Sequence, residues 1–158
     1  MAAILSPEVT LENKLVAFDN FEQLIEQVDN ANNIDNLGLW TPLKDLLSSE
    51  EADLRRFACW CIGTAVQNNL NCQERPVTLG ILPLLTKLAI EDPSEIVRRK
   101  AIYAISSEVR NYQPALDAAV ESLPKNIVPE GGTDAGDMDA IDHITGKLRE
   151  ESARKAAA

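Results

Sequence analysis

The sequence predicts an all-α fold built from stacked helical repeats, and three observations carry that reading. Aromatic residues make up only 4% of the 158 residues, whereas sandwiches and barrels draw more heavily on aromatic and β-branched side chains. Residues 54–69 recur as residues 97–112, an offset of 43, with both Arg-Arg pairs, Ala58/Ala101, Ile62/Ile105, Val66/Val109 and Asn68/Asn111 identical and Trp60 over Tyr103. Upstream, residues 38–47 parallel residues 80–89 at an offset of 42. A helical period of 40 to 47 residues marks an armadillo or HEAT array. The predicted architecture is a right-handed superhelical armadillo solenoid with N- and C-terminal capping helices.

Taken in order, residues 8–36 form the N-terminal capping segment. Within it, residues 11–28 read as one or two helices with Leu11, Leu15, Phe18, Phe21, Leu24 and Val28 inward. Residues 29–36 then hold four asparagines and two aspartates, residue types that favour caps and turns over helix interiors. Two repeats follow, at about residues 37–78 and 79–123. Each is a proline-bearing helix, a turn and a longer helix. Pro42 and Pro83 fall near helix starts, where proline is tolerated, and the turns at 48–51 and 91–94 are rich in capping residues. Residues 124–133, with Pro129, Gly131 and Gly132, read as a linker. Residues 134–155 close the chain with an amphipathic helix whose apolar side is Met138, Ile141, Ile144 and Leu148, covering the last repeat; Ala156 to Ala158 read as a frayed tail.

Each long helix carries two stripes. Ala58, Ile62, Ala65, Val66 and their counterparts form the buried one. Trp60, Thr64, Gln67 and Asn68, with Tyr103, Ser107, Arg110 and Asn111, form a second, which an armadillo stack displays on its concave surface.

The net charge of −10 is unevenly spread: residues 1–53 hold eleven acids and two bases, and residues 54–123 hold seven acids and eight bases. An acidic first third repels phosphate backbones, which argues against nucleic acid as a partner, and it can attract a basic protein surface. Cys59, Cys61 and Cys72 follow no metal or redox spacing, and Cys59 and Cys61, two apart on a helix, point to nearly opposite sides; reduced thiols in a cytoplasmic protein are expected. The first residues lack a signal-peptide pattern, and no apolar run of about eighteen residues predicts a membrane span.

A single histidine removes multi-histidine metal sites and Ser-His-Asp chemistry with a spare base. Asp134, Asp137, Asp139, Asp142 and His143 lack the glycine and terminal glutamate of a calcium loop, and helix capping accounts for them. Gly131 to Gly136 follows no strand, and Gly146-Lys147 lacks the upstream glycine of a phosphate loop. No catalytic residue, metal or cofactor is expected, and the chain reads as no enzyme.

Residues 11–22, the stretch Asp29-Asn30-Ala31-Asn32-Asn33 and residues 63–69 closely resemble the fungal armadillo-type nucleotide exchange factors of the Fes/HspBP family, which act on 70-kDa heat-shock chaperones. The resemblance runs from about residue 8 to 123. It implies a non-enzymatic monomer whose concave face embraces lobe II of the chaperone's nucleotide-binding domain, speeds ADP release, lets ATP bind and triggers client release. Its implied contacts are Asp29, Asn30, Ala31, Asn32 and Asn33, then Gln67, Asn68 and Asn69, then Arg110 and Asn111. Ala31 would permit close approach of the two surfaces, so Ala31→Arg is expected to abolish binding with helicity and melting intact. Members usually begin with a flexible, glycine-rich segment and longer ones add repeats; neither is present, and Met1 is expected to be an internal methionine of a core. The alternative is an adaptor for a basic or linear peptide, as in armadillo import receptors. Their grooves place asparagine four residues after tryptophan, whereas Thr64 and Ser107 stand at those positions here.

Overall fold

A computed structural model describes residues 1–158 as ten helices: α1 (Ala2–Leu5), α2 (Leu11–Ile25), α3 (Val28–Asn36), α4 (Trp40–Leu46), α5 (Ala52–Val66), α6 (Leu70–Thr78), α7 (Ile81–Glu91), α8 (Glu95–Val109), α9 (Gln113–Ser122) and α10 (Met138–Ala157). The helices α3–α4–α5 and α6–α7–α8 make two complete three-helix units. In a third unit α9 comes first, an irregular segment replaces the middle helix, and α10 takes the place of the long helix. The long helices α2, α5, α8 and α10 pack side by side in that order, and α3, α6 and α9 form a parallel row.

This frame differs from the repeat frame read off the sequence. The units span residues 28–66 and 70–109, because the alignment registered the apolar second and third helices and passed over the polar first one. Helix α3 buries only Ala31 and Ile34, and α6 only Cys72, Gln73 and Pro76. The asparagine-rich stretch is therefore helical, against the expectation of caps and turns. Tertiary anchoring by two apolar side chains overrides weak propensity in so short a segment.

The N-terminal helix also turns differently from expectation. Phe18 and Ile25 are buried, whereas Leu24 and Val28 are exposed and Leu11 lies at the margin. The third inward position is Glu22, a carboxylate that a hydrophobic pattern does not register. Residues 124–133 form no helix between α9 and α10, and the segment is anchored. Ile127 and Ala135 are buried, the Gln113 side chain donates to the Thr133 carbonyl at 3.0 Å and accepts from the Ala135 N–H at 2.8 Å, and Asn111 N–H donates to the Ala135 carbonyl at 2.8 Å. Backbone groups with fixed partners hold the end of the segment against the start of α9.

The duplicated arginines explain part of the repeat. Arg55 donates to the Ser49 and Glu50 carbonyls of its own turn and makes a forked contact with Asp92 of the next unit at 2.7 and 3.1 Å. Arg98, forty-three residues on, donates to the Asp92 and Pro93 carbonyls and to the Ser152 hydroxyl and carbonyl of α10. Each arginine thus closes its own turn and ties down the following unit, using a guanidinium's planar array of donors. Lys155 adds a last tie, donating to the Ile90 and Glu91 carbonyls at the C-terminus of α7, where a cation complements the helix dipole. Asp137 caps α10 by accepting from the Ala140 N–H, and Asp134 accepts from the Gly136 N–H.

The three cysteines are buried and unbridged. Burial pushes the thiols of Cys59 and Cys61 well up and that of Cys72 to about 11, which keeps them protonated and poorly nucleophilic. No helix is long and apolar enough to cross a membrane.

Candidate functional site: the face of the long helices

The row α2–α5–α8–α10 presents a recess of about 380 Å³ lined by Glu22, Glu26, Trp60, Thr64, Gln67, Asn68 and Tyr103. Five of these are second-stripe residues, brought together because 3.6-residue periodicity stacks Trp60, Thr64, Gln67 and Asn68 along one flank of α5 and its end. Tyr103 comes across from α8. Its ring lies against Gly63: a Cβ there would sit 2.5 Å from Tyr103 Cε1 and 3.1 Å from Ala104 Cα. Only glycine admits so close a helix–helix approach. The Tyr103 hydroxyl donates to Gln67 Oε1 at 3.2 Å.

Polar order runs through the recess. Thr64 Oγ1 donates to Glu22 Oε1 at 2.8 Å, joining α5 to α2. The Lys100 ammonium lies 3.9 Å above the Trp60 ring and 5.6 Å from that of Tyr103, a cation–π placement. Burial lowers the Lys100 pKa; Glu22 opposes that shift, and Arg56 and Arg99 add to it. Phe18, Phe57 and Trp60 form a stacked run behind the face, with centroids 5.4 and 5.6 Å apart.

The other sequence-derived candidates lie elsewhere. Ala31 is 2% exposed, within the core, which corrects its expected place on a free surface. Ser107 and Asn69 are buried too, so neither is displayed for contact as expected. Asn69 donates to Asn32 Oδ1 at 3.0 Å and to the Ala65 carbonyl, holding α3 against α6. Asn30 donates to the Leu24 carbonyl, and Asn33 accepts from Asn36. Asp29 and Asn33 are exposed on α3, outside the recess. Arg110 is occupied by Ser106 and by an ion pair with Asp142 of α10 at 2.6 Å. Asn68 and Asn111 have φ of 51° and 58°. Their identity in the two units follows from the turn after each long helix, which needs a left-handed residue that asparagine tolerates.

Sequence reasoning missed Glu22, Glu26 and Lys100. A signal was present for Glu22: Phe18 and Glu22 precede Trp60 and Thr64 by forty-two residues. The repeat offset carried one step back marks α2 as another long helix of the array.

No three His, Cys, Asp or Glu side chains converge to hold a metal ion. The face can recognise a macromolecular surface by shape, hydrogen bonding and charge. Comparison with known proteins agrees in fold: a designed armadillo repeat protein, solved with the peptide (KR)4, superimposes with a TM-score of 0.67 over 96% of this chain and 67% of that one, at 19% identity. The model described as nucleotide exchange factor Fes1 matches residues 1–34, and that of the SIL1/FES1/HPBP1 C-terminal domain matches residues 30–122.

The chain belongs to the SIL1/FES1/HPBP1 family.

Its relatives in that family include the Hsp70 nucleotide exchange factor FES1 of Gibberella zeae, 54% identical over 91% of this chain and 68% of that protein. The FES1 protein of Coccidioides immitis is 55% identical over 95% of this chain and 71% of its own length. That of Saccharomyces cerevisiae is 50% identical over 72% of this chain and 40% of its own length. The stretch matching the C-terminal-domain model begins within α3 and covers nearly all of the first three-helix unit and the whole of the second.

Proposed function

We propose that the chain is a nucleotide exchange factor for Hsp70, carried above all by its 54–55% identity to FES1 proteins bearing that description. In this reading the long-helix face docks on lobe II of the chaperone's nucleotide-binding domain. It binds the open domain more tightly than the ADP-closed one, so ADP affinity falls by the factor by which ADP weakens the complex. ATP then rebinds and client is released. The protein acts without catalysis, as a monomer in the cytoplasm, on a protein surface rather than on nucleic acid or membrane.

The exposed residues Gln67 and Asn68, with the half-buried Trp60, Thr64 and Tyr103, supply an accessible rim with hydrogen-bonding groups, as a non-obligate interface requires. Among the α3 residues, Asp29 and Asn33 remain available for contact. Stopped-flow release of a fluorescent ADP from an Hsp70 nucleotide-binding domain tests the reading. Saturating protein should accelerate release, and Gln67→Arg should slow it with the melting temperature unchanged. Release traces indifferent to the wild-type protein would refute the reading.

A further inference from the structure

We infer that a second recess on the long-helix face, between α8 and α10, docks an acidic segment of a protein partner. The recess, about 400 Å³, is lined by Ile96, Arg99, Lys100, Tyr103 and Arg149. The three cations make no ion pair, whereas Arg55, Arg56, Arg75, Arg110, Lys147 and Arg154 all do. In a chain with 25 acids and 15 bases, three cations that form no salt bridge around one depression are a concentrated positive site.

The positions are held rather than incidental. Lys100 is fixed over Trp60 and beside Tyr103, and Tyr103 is fixed by its approach to Gly63. Arg149 is brought in by α10, whose opposite side is locked by Ile144, Leu148 and the Arg98–Ser152 contacts. Glu22 attracts the Lys100 charge while Arg56 and Arg99 repel it, and an incoming anion relieves the repulsion. Two guanidinium forks with one ammonium suit carboxylates, which arginine binds with two parallel hydrogen bonds.

The apolar part of the lining favours a polypeptide over a small anion. Ile96 is 57% exposed, and Tyr103 offers its ring, so one apolar side chain flanked by acids matches both parts. A basic peptide is rejected by the same charges. Helix α10 is accordingly part of a binding surface as well as a cover for the last unit. The inference rests on this recess alone and stands whether or not the exchange activity does.

Fluorescence anisotropy tests it on the full chain with a labelled peptide of alternating glutamate and aspartate around one leucine. We expect saturable binding that weakens roughly tenfold between about 0.05 and 0.5 M salt. The exposed pair Arg99→Ala/Arg149→Ala should weaken binding by about tenfold or more, since two charge-assisted contacts are lost. Lys87→Ala, an exposed cation on α7, should leave binding unchanged. Absence of binding, equal binding of a lysine-rich peptide, or competition by inorganic phosphate as effective as by unlabelled peptide would overturn the inference.

Discussion

Tyr103 rests on Gly63 so closely that α5 and α8 approach at van der Waals limits beneath the recess. A methyl at position 63 collides with two ring carbons and presses on the backbone of Ala104 at 3.1 Å, which yields less easily than a side-chain tip.

Gly63→Ala therefore sets two effects against each other. Alanine gains about 1 kcal/mol of helix propensity over glycine, and overpacking a closed contact costs about 1–3 kcal/mol. The net expectation is a lower melting temperature. Tyr103→Ser on the Gly63→Ala background removes the collision with the ring, though the contact with Ala104 remains, and should recover part of the loss. A double-mutant cycle by urea unfolding reads the coupling; additive effects would show that the ring is not the obstacle.

Arg98 is 2% exposed and serves four oxygen acceptors on two segments, the turn at Asp92–Pro93 and helix α10. Arg98→Ala leaves buried carbonyls unpartnered and should cost roughly 3 kcal/mol. The loss should be felt first at α10, whose amides should exchange with solvent sooner than those of α5. Hydrogen exchange followed segment by segment distinguishes this local release from uniform destabilisation.

The fold was legible where apolar residues repeat. The pairs Ile62/Ile105 and Ala58/Ala101 marked the long helices, and Ile141, Ile144 and Leu148 marked α10; all of these are buried. The short helices α3 and α6 were not, because a polar helix held by two or three small contacts leaves almost no periodic signal. The same limit shaped the site. Trp60, Thr64, Gln67, Asn68 and Tyr103 meet on one face as helical spacing requires, but Glu22 is a buried carboxylate where a pattern search looks for an apolar side chain. Asn69 and Ser107 match neighbours in sequence, yet only packing shows them enclosed. The matched asparagines at 68 and 111 reflect backbone geometry at least as directly as recognition.

Ala31→Arg was expected from the sequence to block binding and spare the fold. With Ala31 at 2% exposure among core residues, the arginine has to bury a charge or displace α3. Circular dichroism melting should show a loss of several kcal/mol, the range for an unpaired buried charge. An unchanged melting temperature would mean that α3 swings out at little cost. Asp29→Arg, on the exposed side of the same helix, is the variant that probes contact without disturbing the core.

Glu108 is fully buried, and neither carboxylate oxygen has a hydrogen-bond partner. It stands forty-three residues after Ala65, so a carboxyl occupies the place of a methyl in the preceding unit. Burial raises its pKa from the ordinary 4.5 to about 9, so the folded protein holds it neutral. Because the folded pKa is the higher one, the folded state binds the extra proton throughout that window. The stabilisation is complete below about pH 4.5 and is lost as pH rises through about 9. Glu108→Gln removes the titration. The wild type should lose on the order of 2–4 kcal/mol more than the variant between about pH 5 and pH 8. Urea unfolding of both proteins at several pH values checks this, and parallel profiles would show that Glu108 ionises in the folded state as readily as in the unfolded chain.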